Sequence, residues 1–381
     1  MNEAFIRNVP ALEAACAAVR AGGVAALDTE FVWRKTYRPR LGLAQMAGSD
    51  GTAFAVDCIF CTNPAALGAI IADPGVVKIL HDPRQDLGHL RRYTGALPKN
   101  VFDTQHAAAF AGFPDRLGLQ KLLLDAIGVG LPKTETLADW THRPLSNEEL
   151  EYALDDVRYL APLREELLRR AAELGTRDWL EEDMARYDDP ALYADDDPEE
   201  AWRKVKPGKV RLGPLGRAVL RALAAERERR ACLWDMPRNW VGDDASLVAV
   251  AFAASEKGAG GSLAPSEARV ACRIRERPRR DLLASVYASV ATKALALPEA
   301  EWPTAPDWRL PPETVDAADK ALDWLRQKAA ALHVDPIAVT SRAVVTAFVA
   351  NPDDPTSPLA SGWRQEVFGR EIASRFSVPT H

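Results

Sequence analysis

The chain has 381 residues, long enough for two or three domains at about 150 residues each. Hydrophobic residues make up 47% of it and charged residues 27%, which supports packed cores and argues against wholesale disorder. The net charge of −6 excludes a uniformly basic nucleic-acid binder and leaves local basic patches open. No secretory leader is visible, no apolar run approaches the roughly 20 residues that span a bilayer, and five scattered cysteines suit a reduced compartment. A cytoplasmic location with no membrane contact is therefore expected. Cys58 and Cys61 form an isolated pair, short of the roughly four ligands that a zinc site needs.

Residues 1–175 alternate short apolar runs with helical patterns. Segments 24–27, 52–56 and 76–80 read as strands, and 11–20, 65–71, 119–127 and 148–172 as helices. This is an α/β pattern around a mixed sheet. Residues 181–200 then carry ten acidic side chains against the single Arg186, and 202–230 carry ten Lys or Arg against Glu226 and Glu228. We read 176–208 as an acidic then basic linker, 209–298 as a helical module, and 305–381 as a second one after a Pro-rich spacer.

Three short segments carry chemistry. In the first, Asp28 and Glu30 flank Thr29 at the end of an apolar strand, and alternation puts both carboxylates on one face. Two adjacent carboxylates without a basic partner are unfavourable unless cations neutralise them, and hard oxygen ligands suit Mg2+ or Mn2+. In the second, Asp82-Pro83 reads as a helix cap and first residue, placing Asp86 in the first turns of a helix that stops at Thr94-Gly95. In the third, Ser146 and Glu149 form a capping box that fixes the register of the next helix. Tyr152 and Asp156 then stack at i and i+4, while Asp155 points about 100° away. Each segment alone has an ordinary reading: a solvated acidic turn, a dipole-complementing Asp, a half-buried Tyr.

The order Asp-x-Glu, helix-start Asp, Tyr-x-x-x-Asp resembles the DEDDy exonuclease superfamily. Arg40 to Gln45, Val101 to Gln105, Leu131 to Thr136, Asp139-Trp140 and Arg143-Pro144-Leu145 resemble the ribonuclease D family more narrowly. Phrases within 217–244 resemble an HRDC domain, and 305–381 resembles a second, more diverged copy. The resemblance implies a ribonuclease H-like α/β exonuclease domain over 1–175 followed by two all-α HRDC-like domains. It implies Asp28, Glu30, Asp86 and Asp156 as ligands of two divalent cations, Mg2+ or Mn2+, with Tyr152 orienting the attacking water. A phenol of ordinary pKa near 10 is a poor base at neutral pH, which favours that orienting role.

The expected reaction is 3′→5′ release of 5′-nucleoside monophosphates from RNA, including tRNA precursors, by a monomer. Lys133 is expected near a phosphate. Arg203, Lys204, Lys206, Lys209 and Arg211 form a basic approach to an RNA backbone, or else neutralise the acidic linker. Trp202 and Trp240 could stack on bases, though helix packing explains them as well. A DNA-directed exonuclease and a non-catalytic RNA-binding scaffold are the alternatives.

Overall fold

The computed structural model describes residues 4–132, 138–272, 277–303 and 311–378. They divide into two compact units. One comprises Met1–Val32, Leu41–Tyr193 and Arg309–His381; the other comprises Trp33–Arg40 and Ala194–Trp308.

The first unit is built on a six-stranded sheet: β1 (Phe5–Ile6), β2 (Val24–Val32), β3 (Arg40–Ala47), β4 (Ala53–Asp57), β5 (Val77–Leu80) and β6 (Val101–Asp103), in the order β1-β4-β3-β2-β5-β6. The β1–β4, β2–β5 and β5–β6 pairs are parallel and β3–β4 is antiparallel, so the sheet is mixed as expected. The helices are α1 (Val9–Ala21), α2 (Ala65–Ile71), α3 (Arg84–Thr94), α4 (Thr104–Ala108), α5 (Leu119–Ile127), α6 (Asn147–Arg158), α7 (Leu160–Leu174) and α8 (Arg177–Met184). A single helix over 148–172 does not form; it breaks at Tyr159. The break lies ahead of Pro162, which lacks an N–H and whose ring excludes a continuous helical turn before it.

The segment read as a linker from residue 176 is ordered structure of this unit. Leu180, Met184, Tyr187 and Tyr193 are buried in its core. The Tyr187 hydroxyl donates to Asp103 Oδ2 at 2.6 Å, and the Tyr193 hydroxyl to the Tyr187 carbonyl at 2.8 Å.

The C-terminal helices, among them Pro312–Ala331 and Arg342–Ala350, do not form a separately cored module. Leu322, Leu325, Phe348, Trp363 and Phe368 share one core with Leu12, Ile79, Phe110 and Leu167. Asp183 secures the junction. It accepts from His106 Nε2 at 2.7 Å, Trp363 Nε1 at 2.8 Å and Arg364 Nη2 at 2.7 Å, and Arg364 Nη1 reaches its other oxygen. Burial alone would raise the Asp183 carboxyl, but these donors hold it well below the usual carboxylate range.

The second unit is helical: α9 (Pro214–Leu233), α10 (Arg238–Val241), α11 (Asp244–Ser255), α12 (Pro265–Ala271) and α13 (Arg277–Leu295). Leu223, Leu247, Val250, Leu283 and Tyr287 centre its core. Among the described residues no helix is long and apolar enough to cross a membrane.

The Asp183 junction generates a test. Replacing it by Ala removes the carboxylate that pairs with the half-buried Arg364 and accepts from the buried His106, leaving Arg364 only the Val339 and Ala338 carbonyls. Denaturant unfolding should show a loss of about 3–5 kcal/mol, as for a broken buried pair; a loss below about 1 kcal/mol would show that packing alone holds the C-terminal helices.

Candidate active site

β2 enters the core through Ala25, Ala26 and Leu27, all at 1% exposure or less, and its last residues emerge, half-buried, at the strand's C-terminal end. Because strand side chains alternate, Asp28 and Glu30 share one face while Thr29 turns the other way and is buried. Asp156 joins them from α6: one carboxylate oxygen from each of Asp28, Glu30 and Asp156 lies within 4.8 Å of the other two.

The capping box fixes this. Ser146 Oγ accepts from Glu149 N at 3.1 Å, and Glu149 Oε2 accepts from Ser146 N at 2.7 Å. With the register set, Asp156 faces the cluster and Asp155 pairs with Arg158. Tyr152, one turn before Asp156, lies on the same face of α6, and its hydroxyl interacts with that carboxylate.

Asp86 sits in the first turn of α3 and stands outside the close triplet. Its Oδ1 accepts from the Thr29 hydroxyl, and Thr29 Oγ1 lies 3.3 Å from His89 Nδ1. Burial, with Arg92 nearby, pushes His89 down to about 4. The ring is therefore neutral near pH 7, and its Nδ1–H can donate to Thr29 while Thr29 donates to Asp86. Phe31 closes over the same ring edge-on, with centroids 4.2 Å apart. The sequence reading passed over Thr29 and His89. Strand alternation should have flagged Thr29 as an inward polar group in need of a partner.

The expected cap at Asp82 is corrected. The helix starts after Pro83 with no side-chain cap, and Asp82 adopts a left-handed φ of 54°. Its backbone N–H donates instead to Asp103 Oδ1, which also caps α4 by accepting from Gln105 N and His106 N.

Tyr152 rests on Trp140, with ring centroids 6.1 Å apart and planes 25° apart. Arg143 holds that loop with all five guanidinium N–H groups: Nε to Asp57 Oδ2 (2.9 Å), Nη2 to Asp57 Oδ1 (2.8 Å) and Gly42 O (3.0 Å), Nη1 to Trp140 O (2.8 Å) and His142 O (2.7 Å). Gly42 is required there, since a Cβ would lie 2.2 Å from the Trp140 carbonyl.

The basic approach is divided. Arg203 pairs with Glu200 and Lys204 with Asp196, the neutralising alternative, whereas Lys206, Lys209 and Arg211 are exposed without an ion pair among the described residues. Trp202 packs against the core of the helical unit and Arg203 covers its ring at 5.0 Å, while Trp240 is partly buried. Lys133 lies outside the described residues.

A family model for 3′-5′ exonucleases matches residues 4–172. Over nearly the whole length, the chain is 34% identical to the ribonuclease D of Acidiphilium cryptum across 376 residues, covering 96% of this chain and 91% of that protein. The chain belongs to the ribonuclease D family. The ribonuclease D of Pseudomonas paraeruginosa is also 34% identical, over 97% of this chain and 96% of its own length. The crystal structure of Escherichia coli RNase D, an exoribonuclease involved in structured RNA processing, superposes with a TM-score of 0.84 at 28% identity over 98% of each chain. The protein is thus a ribonuclease D-like 3′→5′ exoribonuclease, of an exonuclease class that uses divalent metals. The acidic cluster is the candidate place for them.

The crowding has an electrostatic signature. Burial, then the neighbouring acids, raise Glu30 to about 8 and Asp156 to about 7; burial raises Asp86 to about 6 against the Thr29 hydrogen bond; Asp28 is pushed well up by burial, Asp86, Asp156 and Glu30. The folded, metal-free protein thus binds more protons here than the unfolded chain. Stability from these groups is complete below the unfolded carboxylate range near 4 and is lost as pH rises through about 6–8. Chelator-treated protein should melt at a lower temperature at pH 8 than at pH 5.5, and saturating Mn2+ should remove most of that difference. A melting temperature rising from pH 5.5 to 8 without metal would contradict this electrostatic picture.

Proposed function

We propose that this chain releases nucleoside 5′-monophosphates one at a time from RNA 3′ ends, tRNA precursors among them, with Asp28, Glu30, Asp86 and Asp156 holding two divalent cations. The observation that carries this reading is the close carboxylate triplet, which no Lys or Arg neutralises among the described residues. An all-oxygen, anionic donor set suits Mg2+ or Mn2+ over softer ions. Held by these four carboxylates, two such cations would supply charge neutralisation and Lewis acidity for displacement at phosphorus.

The protein side chains set the geometry of that displacement. Burial and the adjacent carboxylates raise the Tyr152 phenol above its ordinary range, so it stays protonated and cannot serve as the base. With its O–H turned toward Asp156, the phenol keeps an oxygen lone pair to accept a hydrogen bond from the attacking water. The stack on Trp140 limits ring rotation about that position. Thr29 and His89 orient Asp86 from behind.

Residues 209–298 we assign as an HRDC domain, and 305–381 as a diverged HRDC-like segment that has merged with the nuclease core. Lys206, Lys209 and Arg211 suit a salt-sensitive, sequence-independent grip on the RNA backbone. Arg203 and Lys204 join it only by giving up Glu200 and Asp196. The family setting supports a monomer acting in the cytoplasm on structured RNAs.

Single-turnover degradation of a 3′-labelled oligoribonucleotide tests the site. Asp28→Asn should cost about 100-fold or more, the scale of several kcal/mol of lost charge stabilisation. Asp156→Asn should be similarly damaging and Asp155→Asn nearly silent; equal loss in both would refute the α6 register. Tyr152→Phe should lower turnover about 100-fold while RNA affinity stays near wild type. Faster release from DNA than from RNA ends would move the assignment to a DNA-directed exonuclease.

A further inference from the structure

We infer that the segment directly after β2 builds a nucleobase-binding site on the helical unit, formed by Trp33, Thr36 and Tyr37 with Pro237, Arg238 and Asn239. This inference rests on the RNA reading above and extends it to a site for an unpaired base. These residues line a cavity of about 320 Å³, at the small end of the roughly 300–1,000 Å³ range of ligand pockets.

The walls are prepared differently. Trp33 presents 56% of its surface to solvent, an unusual cost for an indole unless something covers it. Tyr37 is fixed on every side. Its backbone N–H donates to Asp235 Oδ1 at 3.1 Å, its hydroxyl to Glu228 Oε2 at 3.0 Å, and the Arg238 guanidinium lies 4.8 Å above its ring. Arg238 is itself held by Glu228, with Nε to Oε2 at 2.5 Å. One side of the cavity is therefore a rigid, charge-balanced aromatic surface and the other a free indole face.

Thr36 supplies the second, independent observation. It is only 6% exposed, and its hydroxyl has no hydrogen-bond partner among the described residues. A covered hydroxyl without a partner is destabilising, and native proteins tolerate few of them. A threonine hydroxyl both donates and accepts, so it can meet the polar edge of any base. An aliphatic ligand would leave it unsatisfied, and a free phosphate would leave the indole face uncovered.

The immediate neighbours fit the rest of a nucleotide. Arg34 and Lys35 are exposed and make no ion pair among the described residues, so two cations flank the aromatic wall. Aromatic rings interleaved with unpaired basic side chains are the usual means of gripping single-stranded nucleic acid. The acidic neighbours are already engaged: Arg38 pairs with Asp195 at 3.3 Å and Arg40 with Asp235 at 3.7 Å. Trp33 also follows Glu30 by three residues along the chain, so one short stretch of sequence carries both metal-ligand candidates and the base platform.

The test is equilibrium binding of a fluorescein-labelled single-stranded oligoribonucleotide to the full chain in EDTA, read by anisotropy. Base–aromatic stacking of about 1–3 kcal/mol corresponds to roughly 5- to 150-fold in affinity. Trp33→Ala should weaken binding at least fivefold and Trp33→Phe should recover most of the loss. Thr36→Val, nearly isosteric, should shift the ranking of poly-A, poly-C and poly-U oligomers. An oligomer of abasic sugars should bind wild type and Trp33→Ala equally. Wild-type affinity in Trp33→Ala, or an undiminished Trp33 effect on the abasic oligomer, overturns the proposal. Degradation of the same oligomer by wild type in Mg2+ is scored separately: its failure sinks the exoribonuclease reading, whereas the binding comparison alone decides the base site.

Discussion

Like charges crowded into a poorly solvated place govern this molecule. Two carboxylates about 4 Å apart repel by roughly 4 kcal/mol at an effective dielectric near 20, and Asp28, Glu30 and Asp156 contribute three such pairs. Asp86 adds its field from α3. Nothing in that arrangement stabilises itself, so each carboxylate must be delivered by an element anchored elsewhere. β2 is anchored by Ala25 to Leu27 in the sheet core, α6 by its capping box and by Leu150 and Leu154, and α3 by Leu87 and Leu90. Apolar burial behind the site offsets electrostatic repulsion in front of it.

A second ring of interactions turns rough placement into defined geometry. Thr29 ties the strand to Asp86, so β2 and α3 cannot slide independently. Arg143 does the corresponding work for the tyrosine. Its fork clamps Asp57, Gly42 and the Trp140 loop, and Trp140 in turn supports the Tyr152 ring. A lysine could not reproduce this, because an ammonium has three donors and no planar fork.

Much of the site was legible because it obeys short-range rules. Strand alternation puts Asp28 with Glu30, and the box at Ser146 and Glu149 separates Asp156 from Asp155. The failures have equally local causes. Asp82-Pro83 looked like a cap, but a capping side chain needs extended backbone and Asp82 is left-handed. The acidic run near 181–200 looked like a linker because composition hides the buried stripe of Leu180, Met184 and Tyr187 and the partners of Asp183. Residues 305–381 read as a second helical module, because a helical pattern does not tell whose core the helices pack on. Trp33 and Thr36 went unnoticed because their neighbours, Pro237 to Asn239, are some 200 positions away in sequence.

Asp183 and Arg364, the two halves of the junction, are separated by 181 positions, and the helical unit falls between them. During synthesis the sheet and its carboxylates therefore leave the ribosome long before the helices that complete their core. Ala194–Trp308 can close on its own contacts in the meantime, since its central helices are contiguous in sequence. The nascent nuclease must wait with part of its apolar surface uncovered, a vulnerable interval for aggregation or chaperone capture. Joining ends so distant is also slow, because loop closure precedes the contacts that reward it. The helices that follow residue 311 thus set the moment at which the sheet becomes fully protected.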